Sequence, residues 1–109
     1  DYISDAYFQM GSTETTQNKL LEALEHFQSA LNYNKNCDLC ITKLAQTQDL
    51  YKEFHYKAGM KSYNEQNLIK AILEWELVQK MDMEYKKVTE LLEKAKIIQK
   101  HIGDIKKSE

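Results

Sequence analysis

The chain has 109 residues, 42% hydrophobic and 29% charged, with three Gly, two Cys and no Pro. That length supports one core of modest size, and no apolar run exceeds three residues, as in Ala71-Ile72-Leu73, so none of it reads as a bilayer span or a signal-peptide core. Net charge is −2 and all fifteen basic residues are Lys, so the bidentate Arg fork that grips phosphates and guanine edges is missing and nucleic-acid binding is not expected.

In chain order, the first clear element is an amphipathic helix over 20–31. Leu20, Ala23, Leu24, Phe27, Ala30 and Leu31 have the i, i+3, i+4, i+7 spacing of one buried stripe. A short polar turn precedes it, Gln17-Asn18-Lys19, in which Asn tolerates the left-handed conformation that ends a helix. So short a connection makes the preceding helix its antiparallel neighbour. Asn32-Tyr33-Asn34-Lys35-Asn36 then breaks the pattern with three of the six Asn in the chain. From Cys40, the positions Leu44, Thr47, Tyr51, Phe54 and Ala58 follow in steps of four and three with no breaker, which predicts one long helix from about 38 to about 65. A second polar turn, Glu65-Gln66-Asn67, leads into a helix carrying Leu68, Ala71, Ile72, Trp75 and Val78. The last helix, about 84–102, has Tyr85, Val88, Leu92, Ala95, Ile98 and Ile102 on one face; Gly103 is expected to stop it, leaving 104–109 as a frayed tail. With no Pro and little Gly to punctuate the chain, the expected class is all-α.

These elements recur. An offset of 48 residues, the step from Gly11 to Gly59, also places Leu20 on Leu68, Leu21 on Ile69, Ala23 on Ala71, Leu24 on Ile72, Phe27 on Trp75, Ala30 on Val78 and Leu44 on Leu92. Polar positions between them drift freely, as a packing constraint on a repeated helical unit allows. A single domain over 1–103 is expected, with unit one at about 4–50 and unit two at about 52–102. A chain beginning at Asp1 rather than Met reads as a processed product or an excised piece.

The residues Tyr56-x-x-Gly59-x-x-x-Tyr63-x-x-x-x-Leu68-x-x-Ala71-Ile72-x-x-Trp75-x-x-Val78-x-x-x-Asp82 resemble the tetratricopeptide repeat. So do Tyr7-x-x-Met10-Gly11 and the following Leu20-x-x-Ala23-Leu24-x-x-Phe27-x-x-Ala30-Leu31-x-x-Asn34. The resemblance implies antiparallel helix pairs in a right-handed α-α superhelix fragment. Gly11 and Gly59 would allow close helix approach, Ala23 and Ala71 would be the small residues facing them, and Phe27 and Trp75 would fill the space between helices. The family period is about 34 residues; the longer step here comes from accessory helices at 38–50 and 84–100. Glu14 and Ser62 stand where the family has a large residue, and Lys35 and Met83 where it commonly has Pro. The Trp in the second helix is similar to repeats of bacterial envelope proteins, which would imply an envelope or periplasmic location. The family's concave-surface positions fall on Asp5, Phe8, Ser12, Thr15 and Thr16 in unit one and on Glu53, Tyr56, Met60, Tyr63 and Asn64 in unit two.

Other constellations weigh less. Cys37-x-x-Cys40 is expected to be a pair of unreactive thiols with Cys40 on the packing face; a disulfide in an oxidising compartment and a metal site are the alternatives. His26, His55 and His101 do not supply the two further ligands that structural zinc needs. Cys37, near a helix start, would be the more reactive thiol. No His has Glu three residues before it, and no catalytic or phosphate-binding motif occurs. His55 is expected to pack beside Phe54 and Tyr51. Residues 1–34 carry one Lys against five acids and residues 84–109 seven against five, a gradient that a solvated lysine-rich end explains.

The expected function is therefore a non-enzymatic scaffold, without a cofactor or metal, that holds a peptide or partner helix on a concave helical surface. It would be a monomer or at most a weak dimer, with no direct membrane insertion. The candidate contacts are Phe8, Ser12, Thr15, Glu53, Tyr56, Met60, Tyr63 and Asn64, with burial of the unit-two aromatics the competing reading. The alternative function is structural oligomerisation, with Val88, Leu92, Ala95 and Ile102 exposed on the last helix as a short coiled-coil seam. Gln99 interrupts that seam, and the helix is needed to cap the apolar end of the stack.

Overall fold

The computed structural model describes residues 1–108, and these form five helices with no strand: α1 (Tyr2–Thr16), α2 (Leu20–Tyr33), α3 (Asp38–Asn64), α4 (Leu68–Met81) and α5 (Val88–Ser108). Neighbouring helices pack in sequence as antiparallel pairs. The chain divides into two compact units, Asp1–Tyr51 and Lys52–Glu109, with the boundary inside α3.

In unit one, α1 begins at an Asp1 cap whose Oδ1 accepts from the Ile3 and Ser4 amides. Its buried residues are small, Ser4 and Gly11, which brings α1 close to α2. The Ser4 hydroxyl donates to the Ala30 carbonyl over 2.8 Å. A methyl group built on Gly11 would lie 2.8 Å from the Phe27 ring, inside any van der Waals contact. Leu20, Ala23, Leu24, Phe27 and Ala30 are the buried stripe of α2, as the spacing predicts. The start of α3 closes the unit, with Cys40 and Thr47 buried and Tyr51 packed with Leu44 against Leu20 and Leu24.

Unit two rebuilds this plan with other side chains. Ala71, Ile72, Trp75 and Val78 of α4 join Val88, Leu92 and Ala95 of α5 in one buried cluster, with Tyr56, Met60 and Tyr63 of α3 packed against it. Trp75 is fully buried and its Nε1 donates to the Tyr56 carbonyl over 3.1 Å. A methyl group on Gly59 would overlap that indole. The atoms nearest each glycine's missing Cβ thus belong to the aromatic residue sixteen positions on. Removing Cβ admits an aromatic face directly onto the backbone.

The turns repeat down to their hydrogen bonds. Asn18 and Gln66 are both left-handed, with φ of 59° and 62°, and the next amide in each case, Lys19 or Asn67, donates 2.8 Å back to the Glu14 or Ser62 carbonyl. At the other end, the Asn34 and Asp82 amides donate to Ala30 and Val78. Their Oδ1 atoms accept from the amides two residues on, Asn36 and Glu84. An Asx turn closes each second helix.

Three expectations need correction. The last helix starts at Val88 rather than 84, because Lys86 takes a left-handed φ of 46° that no helix continues through. Gly103 does not stop it; α5 runs on to Ser108, so 104–108 are helical rather than a tail, and Glu109 lies outside the described residues. A helical Gly with no αL turn after it costs helix stability without ending the helix. Cys37 and Cys40 form a disulfide, with 5.2 Å between their Cα atoms, in place of the free thiols expected; Cys40 does lie on the packing face.

Candidate functional site

A cleft of about 480 Å³ lies within unit two, lined by Tyr63 and Asn64 at the end of α3, Gln66 in the turn, Leu68 at the start of α4, and Ile98 and Ile102 of α5. Its walls are apolar or aromatic and its mouth carries two carboxamides; among the described residues no carboxylate lines it. Among the described residues no His, Cys, Asp or Glu cluster could hold a metal ion, and no helix is long and apolar enough to cross a membrane.

Aligning the two units shows which side chains differ around this cleft. In unit one, Tyr51 covers Leu20 and Leu24 and leaves Leu20 only 8% exposed. The same offset that pairs Leu20 with Leu68 pairs Tyr51 with Gln99. Gln99 is exposed and Leu68 only half-buried. Where unit one has a phenol over its leucine, unit two has open space walled by Tyr63, itself standing where unit one has Thr15.

Of the residues the sequence pattern nominates, only Tyr63 and Asn64 line this cleft. Tyr56 and Met60 are half-buried against the unit-two core, with the Tyr56 ring edge-on to Tyr85 at 5.6 Å. Glu53 is engaged by Lys86 at 2.7 and 2.8 Å and by the Tyr85 hydroxyl at 3.1 Å. The Lys86 hydrogen bond lowers the Glu53 carboxyl below its ordinary range. Burial first, and then the bond to Glu53, raises the Tyr85 phenol; that same Glu53 bond raises Lys86. The Lys86 ammonium also lies 5.1 Å from the Tyr56 ring centroid and 5.4 Å from that of Tyr85, a cation-π arrangement that holds its left-handed backbone in place.

In unit one, Phe8 packs on Phe27 with centroids 5.5 Å apart, and the Thr15 and Thr16 hydroxyls donate to the Gly11 and Thr13 carbonyls. Ser12 is half-buried and Asp5 exposed. His26 Nδ1 donates to Glu14 Oε1 and His55 Nδ1 to Glu74 Oε2, each over 2.5 Å. His55 also meets Phe54 edge-on. Both histidines pair with a glutamate on a neighbouring helix.

The coiled-coil seam is mostly unavailable. Val88, Leu92 and Ala95 are buried in the core of unit two; of the four seam residues, Ile102 alone is exposed. Leu68 and Ile98 have the periodicity of core residues, Ile102 reads from sequence as part of a coiled-coil seam, and Gln66 reads as a turn residue. The signal that distinguishes them is the exchange of Tyr51 for Gln99, visible only when the two units are aligned. No family model, curated protein or solved structure matches this chain.

Proposed function

We propose that the chain is a non-enzymatic interaction module of tetratricopeptide-like helical repeats, whose unit two holds a peptide or partner helix. The observation that carries this reading is the cleft at Tyr63, Leu68, Ile98 and Ile102: preformed, mostly apolar and rimmed by Asn64 and Gln66. Such a surface offers burial to apolar anchors and hydrogen bonds to whatever backbone lies beside them. The rim of the cleft carries the carboxamides of Asn64 and Gln66, an arrangement suited to holding rather than transforming a ligand.

Selection of peptides from an unbiased display library against the intact chain tests it. Expected are enriched peptides whose addition shifts the NMR signals of Tyr63, Leu68, Ile98 and Ile102 and leaves Phe8 and Ser12 still. Enriched peptides that perturb other residues, or no enrichment, would overturn the reading.

A further inference from the structure

We propose that the unit-two cleft takes an aromatic side chain presented by an acidic amphipathic helix of a partner protein. This rests on the interaction-module reading and gives its partner a chemistry. The repeat itself describes the occupant. Unit one fills the corresponding place with its own Tyr51, a phenol carried on a helix and laid over Leu20 and Leu24. Unit two keeps Leu68 in place of Leu20 but supplies Gln99 where unit one has Tyr51, and a cleft lies open beside Leu68. A ring of about the size of a phenol is therefore the side chain this shape is built around, and its buried area would make it the anchor of the contact.

Charge selects the rest of the partner. Unit two holds twelve of the fifteen lysines against ten of the seventeen acids, a slight excess of positive charge, so the local placement of lysines is what matters. At 3.6 residues per turn, Lys94 and Lys106 flank the Ile98–Ile102 edge of α5, one on each side, and both are exposed. Glu93 and Asp104 fall on the other side of that helix. A segment that lays an aromatic ring between Leu68 and Ile102 thus passes between two ammonium groups; among the described residues that line the cleft none is a carboxylate, Glu65 standing in the adjoining turn. Carboxylates flanking the aromatic residue are favoured there, and lysines are repelled.

Calorimetric titration of the intact chain with a blocked synthetic helix of Ala and Glu, carrying one Tyr and a Leu one turn later, tests the proposal. Saturable binding is expected, weakened about tenfold or more when Tyr becomes Ala or when the Glu residues become Lys. Gln99→Tyr should abolish it while raising the thermal midpoint of the protein, since unit one accommodates the same side chain. Ile102→Glu, at an exposed site, should weaken binding without loss of helicity. No binding of the Tyr/Glu helix at millimolar concentration, equal binding of the Lys version, or undiminished binding to Gln99→Tyr would each overturn the proposal. Library peptides that perturb the cleft but lack an aromatic residue or acids would overturn this inference and leave the module standing; library peptides that never reach the cleft would end both.

Discussion

The two units solve one packing problem with different chemistry. Each must fix the start of its third helix after an Asx turn, and the same offset places Cys37 and Cys40 on Tyr85 and Val88. Unit one ties that start covalently and its helix begins at Asp38. Unit two uses Tyr85, Lys86 and Glu53 over the Tyr56 ring, accepts a left-handed Lys86, and begins its helix at Val88. A backbone residue in that conformation costs about 1–2 kcal/mol without a Gly, so the ion pair and aromatic contacts offset a local strain that unit one never meets. Fold position is kept while the means of holding it changes, which is why the offset repeats in apolar and small residues and not in charged ones.

The largest expected test of this parallel is removal of the central aromatics. Trp75→Ala should cost about 3–5 kcal/mol and Phe27→Ala a similar amount, each read by urea unfolding. If the units are separately organised, hydrogen exchange will accelerate in α4 and α5 for the first and in α1 and α2 for the second. Uniform acceleration in both variants would show that one cooperative unit spans the chain. Next come the glycines. Gly59→Ala should cost about 2–3 kcal/mol and Gly11→Ala about 1–2 kcal/mol, the difference arising because the enclosed indole is met by three ring atoms at closer range than the Phe27 ring. Equal losses would mean that the backbone yields equally in both units.

How much of this was legible in the sequence follows the same division. The stripes of α2 and α4, the unbroken α3 and both turns follow from apolar spacing and from Asn and Gln clusters, because burial and local backbone preference set them. Gly103 does not stop α5 for a different reason: a Gly ends a helix where the backbone turns left-handed after it, and here the chain keeps helical geometry through Ser108. The start at 84 failed because Lys86 is left-handed through contacts with Glu53 and Tyr56, some thirty residues away in sequence. Site residues were the least legible. Leu68 and Ile98 have the periodicity of core residues and Ile102 that of a seam residue, and the difference between Tyr51 and Gln99 shows only when the units are aligned. Tyr56, Met60 and Tyr63 had two readings from spacing alone, and the structure divides them, two onto the core and Tyr63 onto both core and cleft.

Reducing the disulfide sharpens the comparison further. Cys37 and Cys40 close a very short loop, so chain entropy contributes no more than about 2 kcal/mol. Reductant should lower stability by about 1–2 kcal/mol, with faster amide exchange confined to the first turns of α3 and none in unit two. Loss of exchange protection throughout unit one would instead make the bond essential to that unit. A smaller effect concerns the second-helix caps. Asn67 Oδ1 accepts from the Lys70 amide at 3.2 Å, whereas Lys19 makes no side-chain cap. Lys19→Asn should add about 0.5–1 kcal/mol, measured as a rise in urea midpoint; no change would mean that the left-handed Asn18 geometry already satisfies that helix start.

The smallest expected effect is the pH dependence of the unit-two staple. Glu53 ionises more readily in the folded chain than its ordinary value of 4.5, chiefly through its Lys86 hydrogen bond. A lowered carboxyl binds fewer protons folded than unfolded, so its contribution is complete above that ordinary value and disappears as pH falls through the lowered one. Lys86, raised above 10.5, contributes in full below 10.5 and loses its share as pH rises through the folded value. Both groups are accessible to water, so screening keeps the effect small and added salt should shrink it. Thermal midpoints measured from neutral pH down into the acid range should therefore fall more steeply for the parent protein than for Glu53→Gln. Glu53 and Lys86 both belong to unit two, so the difference should appear in exchange of α4 and α5 amides and not in α1 or α2. An identical acid slope for parent and variant would transfer the holding of Lys86 from its ion pair to the Tyr56 and Tyr85 rings, whose attraction for the ammonium does not depend on Glu53.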